Sequence, residues 1–293
     1  MSLRLDMLRA AANARRRRPD VAEGVGRFLQ SAAMPDGGFA GRGPASDLYY
    51  TVFGMQTMTA LDAPAPADAR RAYLEFFGDG AALDFVHLAC LARCWALVPG
   101  GAPAQVRRAI GRRLETCRAA DGGYHPTPGA AAGTAYAGFL AVGACQDVET
   151  PLPDPAGLVR GLGSLRADDG GYANLPAMPR SSTPATAAAI VALAELGESV
   201  DPAATAWLAG QMDSDGGWRA VPAAPIADLL STATALHALA TAGAALDDIR
   251  RPCRRFVESL WTDEGGFRGH WADDHVDCEY TFYGLLALGH LLD

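Results

Sequence analysis

A short phrase of an acidic residue, two glycines and an aromatic residue recurs along this chain and constrains its fold more than any other feature. The phrase begins at Asp36, Asp121, Asp169, Asp215 and Glu264. Successive starts are 85, 48, 46 and 49 residues apart, so the first interval is nearly double and predicts a degenerate copy near residues 78–80. A period in the forties is typical of repeat proteins, in which one unit cannot bury its apolar face alone. We therefore expect six units in the 293 residues.

The stretch after each glycine pair predicts the start of a helix. Three copies place a Thr four positions after an Asp, namely Asp47 with Thr51, Asp228 with Thr232 and Asp277 with Thr281. An Asp at this place can accept hydrogen bonds from the unpaired N–H groups of a first helical turn, and it faces the positive end of the helix dipole. The following runs of Ala, Gly and Leu are apolar nearly all round, which predicts inner helices that are covered on every side.

Amphipathic segments between these runs predict outer helices with one wet face. In residues 104–117, for example, Arg side chains alternate with Val106, Ile110 and Leu114 at helical spacing. Each unit is then an outer helix, a turn with left-handed glycine backbone and an inner helix. The predicted fold is all-α, with six helix pairs closed into a ring. An open solenoid is the alternative, although neither end of the chain has the polar capping repeat that a solenoid normally needs.

The Asp-Gly-Gly-aromatic phrase, followed by Asp-x-x-x-Thr and an Ala/Gly/Leu helix, resembles the repeats of protein prenyltransferase β subunits and of terpenoid cyclases of the squalene-hopene type. The resemblance runs from about Gly24 to the last residue. It implies an α/α toroid whose inner helices surround an apolar funnel, with the chemistry at its mouth. Residues 1–293 would form one domain, with residues 1–23 as an N-terminal helical extension and six helix-pair repeats over residues 24–293. It also implies an α-type partner subunit, with a homo-oligomer as the alternative.

Composition limits the partners and the compartment. The chain has no Lys and a net charge of −8, which argues against a nucleic-acid surface. Its six Cys do not have the spacing of a disulfide framework, and we interpret them as buried residues in a reducing compartment. We therefore expect a cytoplasmic protein. No apolar run is long enough for a transmembrane segment. The basic run at residues 15–18 is interpreted as the solvated end of a first outer helix, in preference to a targeting peptide, membrane anchor or partner arm.

The zinc site of the resembled prenyltransferases is not matched. Their metal is held by the Asp of an inner-helix start, a Cys two residues later and a His just before the Thr of the next repeat, and it keeps the acceptor thiol ionised. The matching positions here are Asp228, Leu230 and Tyr280, so one ligand of three remains. We expect a divergent member without zinc, in which Mg²⁺ enters only with a diphosphate substrate.

A rotated metal pattern places Asp47 and His87 at the Asp and His positions, with Tyr49 where the Cys should be. A His at a helix start more often pairs with a neighbouring residue, and we favour that interpretation.

The resemblance to class II terpenoid cyclases, whose acid motif is Asp-x-Asp-Asp-Thr, gives a different candidate. Aligned on Thr281, this chain keeps Asp277, places Glu279 at the central acid and replaces the last Asp with Tyr280. The resemblance thus implies Glu279 as the catalytic acid, supported by Asp277 and Tyr280. A carboxyl buried beside an anionic Asp has a raised pKa, and Tyr280 could hold the proton in place.

Aromatic residues on or near the inner-helix starts predict a lumen lined with rings, which suits a polyprenyl chain or a carbocation. Met55 and Met58 would form the apolar base of this lumen. The alternative is a lumen that is filled because the Ala-rich helices approach each other closely. The residues expected to bind substrate are Asp47, Tyr49, Tyr50, Phe53, Tyr136, Phe139, Asp228, Tyr283, Arg42, Arg219 and Arg268.

Two functions follow. The first is an enzyme that transfers or cyclises an isoprenoid in the funnel without zinc, which requires an open lumen beside Glu279 and Asp277. The second is a non-catalytic binding or scaffold toroid, in which Asp277 only caps its helix and Glu279 pairs with a loop Arg such as Arg42 or Arg268.

Overall fold

The computed structural model describes residues 2–64, 66–176, 178 and 180–292, and within these it contains thirteen helices and only isolated β-bridges. The helices are α1 (Leu3–Arg17), α2 (Pro19–Ala32), α3 (Leu48–Leu61), α4 (Ala67–Phe76), α5 (Phe85–Trp95), α6 (Ala104–Thr116), α7 (Ala135–Asp147), α8 (Pro155–Gly163), α9 (Thr183–Glu195), α10 (Pro202–Ala209), α11 (Leu229–Thr241), α12 (Asp247–Ser259) and α13 (Cys278–Leu291). The all-α prediction is confirmed.

Six of these helices form a closed inner ring. Helices α3, α5, α7, α9, α11 and α13 each pack against the next, and α13 packs back against α3. The six helices α2, α4, α6, α8, α10 and α12 precede them in the chain and pack outside them. The degenerate unit is present as well, because Gly78 and Gly80 have positive φ in the turn before α5. The chain is therefore an α/α toroid of six helix pairs and not an open solenoid.

The turn of each unit explains the repeated phrase, and the fourth full copy illustrates it. The N–H of Gly217 donates to Asp215 Oδ1 at 2.9 Å, and Gly216 between them has a φ of +96°, which is left-handed backbone. The ring of Trp218 is fully buried beneath the turn. Its backbone N–H donates to Thr232 Oγ1 at 2.9 Å.

The Thr of the pattern therefore ties the turn to the inner helix that follows it. The same bond joins Phe39 to Thr51, Tyr172 to Thr186 and Phe267 to Thr281, at 2.9, 2.9 and 3.2 Å. The predicted caps lie just before these helices: Asp47, Asp228 and Asp277 each accept a backbone N–H of the first turn at 2.7 to 2.9 Å. These four inner helices consequently start at a fixed place relative to their turns.

Helix α1 is not the first outer helix that the sequence pattern predicted; that place belongs to α2. Instead α1 lies across one end of the ring and packs against α13, α3 and α7. Leu3 N–H donates to Gln146 Oε1 and Arg4 Nε to Asp147 Oδ1, both at 2.9 Å, while Asn13 donates to two carbonyls at the end of α13. The buried face of α1, formed by Leu3, Met7, Leu8, Ala11 and Ala14, packs on the ring base.

Two further expectations can be compared with the structure. All six cysteines are buried and unpaired, as predicted. Within the described ranges, every helix is too short or too polar to traverse a bilayer.

Replacing Gly216 by Ala should destabilise the fold more than the same change at Gly243. Both have positive φ, +96° and +72°, but a Cβ on Gly216 would lie 2.3 Å from the carbonyl oxygen of Pro252 in α12, whereas one on Gly243 meets nothing within 4 Å. Left-handed backbone costs Ala ~1–2 kcal/mol at either place. The clash should add a further ~1–3 kcal/mol at position 216. Urea unfolding followed by circular dichroism measures the difference, and equal losses would contradict this account of the turn.

Candidate functional site

The ring encloses an open lumen of about 390 Å³. All six inner helices contribute to its wall, and Met7 of α1 lies at its closed end. The wall residues are Tyr49, Val52, Phe53, Gln56, Ala89, Cys90, Arg93, Tyr136, Phe139, Leu140, Ala144, Pro184, Ala187, Ala188, Val191, Leu230, Thr234, His237, Tyr283 and Leu286. The Ala-rich helices have therefore not closed up and filled the centre.

Most wall residues occupy one register on their helices. They recur two, six and nine positions after the cap residue, which puts them on one helical face. On α3 these are Tyr49, Phe53 and Gln56, and on α11 they are Leu230, Thr234 and His237. Because all the caps are at the same end of the ring, the lumen has a mouth layer, a middle layer and a base layer.

Five of the predicted substrate-binding aromatics line the lumen, namely Tyr49, Phe53, Tyr136, Phe139 and Tyr283. The Phe53 ring lies edge-on to Tyr49 at 5.2 Å and tilted to Tyr283 at 5.5 Å, measured between centroids. Tyr50, the sixth predicted aromatic, packs over Gly41 in the loop before α3. The upper lumen is thus a wall of aromatic faces and edges.

Glu279 stands two positions after the cap of α13, the register of the mouth layer, and it borders the lumen through Tyr49 without itself being one of the wall residues. Its side chain is buried, with the residue 8% exposed, and the Tyr49 hydroxyl donates to its Oε1 at 2.6 Å. Burial raises the pKa of Glu279 to about 7; the nearby Asp277 raises it further, and the Tyr49 hydrogen bond and Arg42 oppose the shift. A substantial fraction of this carboxyl is therefore protonated at neutral pH.

Asp277 has a different environment although it is two residues away. It caps α13 by accepting the Tyr280 N–H at 2.9 Å, and the Arg42 guanidinium lies 3.5 Å from its Oδ2. Arg42 also binds Asp273 at 2.8 Å, so it bridges two acids at the mouth. Burial raises the pKa of Asp277, whereas the cap hydrogen bond and Arg42 lower it. The described ion pairs place Arg42 on Asp277 and Asp273, while Glu279 is bonded to a tyrosine.

The tyrosine on Glu279 is Tyr49, from the neighbouring inner helix, and not Tyr280. The Tyr280 ring packs over Gly269, where an added Cβ would lie 2.5 Å from it. Among the described hydrogen bonds, none joins the Tyr280 hydroxyl to Glu279. Sequence alignment put Tyr280 beside the acid because the two are adjacent in the chain, but ring closure between α13 and α3 brings Tyr49 there.

The remaining predicted residues lie outside the lumen wall. Asp47 caps α3, and Asp228 caps α11 while also accepting the Ser231 hydroxyl at 2.8 Å. Arg219 is held by Asp213 at 2.6 Å. Arg268 has a buried Nε, and the described ion pairs do not connect it with Glu279.

The described residues contain no group of three or more His, Cys, Asp and Glu arranged to hold a metal. Of the three positions matching the zinc ligands, Asp228 is bonded to Ser231 and Leu230 lies in the lumen wall. His87, of the rotated pattern, pairs through Nδ1 with its own helix cap Asp84 at 2.9 Å. Its pairing is the one that the sequence favoured.

The base of the lumen is more polar than predicted. Met55 and Met58 are not in the wall, and the base layer instead carries Gln56, Arg93 and His237. Arg93 donates to Gln56 Oε1 at 2.9 Å and forms an ion pair with the buried Asp147.

A pair of histidines lies in the same region. His237 Nδ1 is 3.1 Å from His290 Nε2. Burial lowers the pKa of His237 to about 3 and that of His290 to about 4, so both rings are neutral at pH 7. Sequence reasoning missed Gln56, Arg93 and His237, yet all three stand nine positions after a cap Asp, and this shared register was the available signal.

Comparisons with known proteins agree with this architecture. Residues 186–293 match a family model described as the prenyltransferase alpha-alpha toroid domain. No curated protein sequence matches the chain. The structure resembles a type II terpene cyclase, MstE from Scytonema, in complex with geranylgeranyl dihydroxybenzoate, at 14% identity and a TM-score of 0.63, covering 98% of this chain and 97% of that one.

Two further solved structures show how widely the fold is used. Candida albicans protein geranylgeranyltransferase-I complexed with GGPP has 16% identity and a TM-score of 0.52, covering 76% of this chain and 66% of that one. A polysaccharide lyase has 10% identity and a TM-score of 0.60, covering 96% of each. The predicted resemblance to the α/α toroid superfamily is confirmed for the fold, and the fold alone does not specify the reaction.

Glu279→Gln should make the free energy of unfolding fall less steeply as the pH rises. The pKa of Glu279 is about 7 in the folded protein and about 4.5 in an ordinary Glu. Its contribution to the free energy of unfolding is therefore fully present below pH 4.5 and is lost as the pH rises through 7. Glutamine does not titrate. Between pH 5 and pH 8 the wild type should therefore lose ~2 kcal/mol more free energy of unfolding than the variant.

Urea titrations at the two pH values measure this difference. The exposed Glu198 provides the matched control, since Glu198→Gln should leave the pH dependence of the wild type unchanged. Parallel stability curves for the wild type and Glu279→Gln would show that the carboxyl is not held neutral by burial.

Proposed function

Since the chain carries the α/α toroid fold of prenyltransferases and terpenoid cyclases, we propose that it is an isoprenoid cyclase of the class II kind, which works without zinc. The observation that carries this proposal is a buried carboxyl with a pKa of about 7 that is hydrogen-bonded to Tyr49 of the aromatic lumen wall. A group that is partly protonated at neutral pH is suited to general acid catalysis.

Glu279 starts the reaction in this proposal. Tyr49 donates to Oε1, which fixes the carboxyl and leaves the acidic proton on Oε2. Transfer of that proton to one carbon of an alkene leaves a carbocation on the other, and ring closure follows as further double bonds attack it. The nearby Asp277 disfavours the anion that Glu279 becomes. This charge makes Glu279 a weaker acid, but it also keeps the resting carboxyl protonated.

The wall below the acid suits a positive intermediate. Phe53, Tyr136, Phe139 and Tyr283 present aromatic rings to the lumen, and ring faces attract cations. No basic side chain lies among the middle-layer residues of the wall that the structure describes, so a carbocation there would not be captured early.

The neutral imidazole of His237 is suited to end the reaction. It lies in the base layer, and its Nδ1 is engaged with His290, so Nε2 is the nitrogen available to take a proton from the cyclised cation. The sequence of steps is then balanced: one proton enters from Glu279 and one leaves to His237, and the product is an isomer of the substrate. His290 is partly exposed, which provides a route for the proton to solvent.

Prenyl transfer is the second form of the enzyme proposal. Arg42 at the mouth is half-exposed and could contact a diphosphate, accompanied by Mg²⁺. Its existing bonds to Asp273 and Asp277 would have to be exchanged, and for this reason we favour cyclisation. For either reaction we propose a cytoplasmic protein that acts alone, as a homo-oligomer or with an α-type subunit.

A non-catalytic toroid remains the alternative outside enzymes. The Asp277–Arg42 pair favours it, because that acid is already satisfied by a cation as a scaffold would require. The open lumen and the tyrosine partner of Glu279 favour the enzyme.

Incubation with radiolabelled polyprenyl diphosphates and squalene tests the proposal. Glu279→Gln should lower turnover by about 10²- to 10⁴-fold, the range that a general acid contributes, whereas Glu198→Gln should keep the wild-type rate. Wild-type turnover should fall as the pH rises through 7, because only protonated Glu279 reacts. Unchanged turnover in Glu279→Gln would remove Glu279 as the acid, and a protein that binds no isoprenoid would remove the enzyme proposal altogether.

A further inference from the structure

The closed end of the lumen is formed by an element that lies outside the repeats. Among the described wall residues, Met7 of α1 is the one that does not come from an inner helix, and it is 7% exposed. We propose that the lumen is sized for a prenyl chain of about fifteen carbon atoms and that Met7 sets this limit. The inference rests on the proposed isoprenoid function and specifies its substrate class.

The volume supports a chain of this size. An apolar cavity of ~150 Å³ holds benzene, which has six carbon atoms. By proportion, the lumen of about 390 Å³ holds about sixteen. A chain of three isoprene units fits this space, whereas a twenty-carbon chain exceeds it and a thirty-carbon triterpene precursor needs nearly twice as much.

The depth agrees with the volume. The mouth and base layers are seven residues apart on each inner helix, which corresponds to ~10 Å at 1.5 Å per residue. Three main-chain bonds of a fully extended chain span ~3.3–3.6 Å, so ~10 Å accommodates roughly nine bonds. A fifteen-carbon prenyl chain fills this depth with one bend, and a longer chain meets the floor.

The floor is fixed in place by its anchors. On one side of Met7, Leu3 and Arg4 bind the end of α7, and on the other side Asn13 binds the end of α13 at 2.8 Å. Gly289 of α13 approaches α1 so closely that an added Cβ would overlap the carbonyl of Ala10. Helix α1 therefore cannot retreat, and the space below the base layer depends on the side chain at position 7.

Equilibrium binding of radiolabelled geraniol, farnesol and geranylgeraniol to the full chain tests this inference. The alcohols report chain length without the contribution of a diphosphate. The wild type should bind farnesol at least about tenfold more tightly than geranylgeraniol, because a twenty-carbon chain whose tail reaches the floor holds its hydroxyl beyond the polar groups of the mouth and loses a hydrogen bond there. Met7→Ala should remove this preference by opening the floor, and Met7→Phe should shift it toward geraniol.

Met55→Ala is the matched control. Met55 is a fully buried methionine of α3 that is absent from the lumen wall, so its truncation leaves a comparable cavity without opening the floor. It should keep the wild-type ratio of farnesol to geranylgeraniol affinity. Circular dichroism of each variant shows whether it is folded, and Met7→Phe still tests the floor if Met7→Ala does not fold.

The outcomes separate this inference from the function on which it rests. Equal affinity of the wild type for farnesol and geranylgeraniol would overturn the size limit and leave isoprenoid binding intact. Folded Met7 variants with the wild-type ratio would overturn the role of Met7. Binding of none of the three alcohols would overturn the isoprenoid function itself.

Discussion

The hydrogen bond between the N–H of the turn aromatic and a Thr hydroxyl in the first turn of the inner helix fixes the register on which the rest of the toroid depends. It recurs in four units at 2.9 to 3.2 Å. Because it sets where those four inner helices begin, it also sets which of their residues face the axis. The aromatic ring beneath the turn, the capping Asp and the lumen-facing positions are thus parts of one repeated geometric rule.

This rule gives two nearby acids opposite properties. Asp277 is the cap residue, so it is held by a backbone N–H and lies within reach of Arg42. Glu279, two residues later, is carried to the axial face, where a tyrosine hydroxyl is its partner and burial raises its pKa to about 7. Both side chains are carboxyls, so the residue type does not separate a structural carboxylate from a candidate acid catalyst. The difference comes from their places on the helix, which lie two residues apart and face different surroundings.

Local patterns predicted the toroid well, and features created by closure of the ring could not be read from them. The repeated glycines, the Asp caps and the covered inner helices are local signals, and each was found in its predicted place. Tyr49 meets Glu279 across 230 residues of sequence, so only the packing of α13 on α3 reveals the contact. Likewise a basic run marks a solvated helix end whether the helix covers a ring base or an outer wall, so it could not show that α1 packs on α13, α3 and α7.

The position of α1 has a consequence for how this protein assembles. Open repeat arrays gain stability one neighbour at a time and can fray from an end. Here Asn13 is hydrogen-bonded to Gly289, 276 residues away, and α1 packs on α13, so the first and last helices are each other's neighbours. Such contacts raise the contact order, which slows folding. The closed end of the lumen is therefore complete only when both ends of the chain have met.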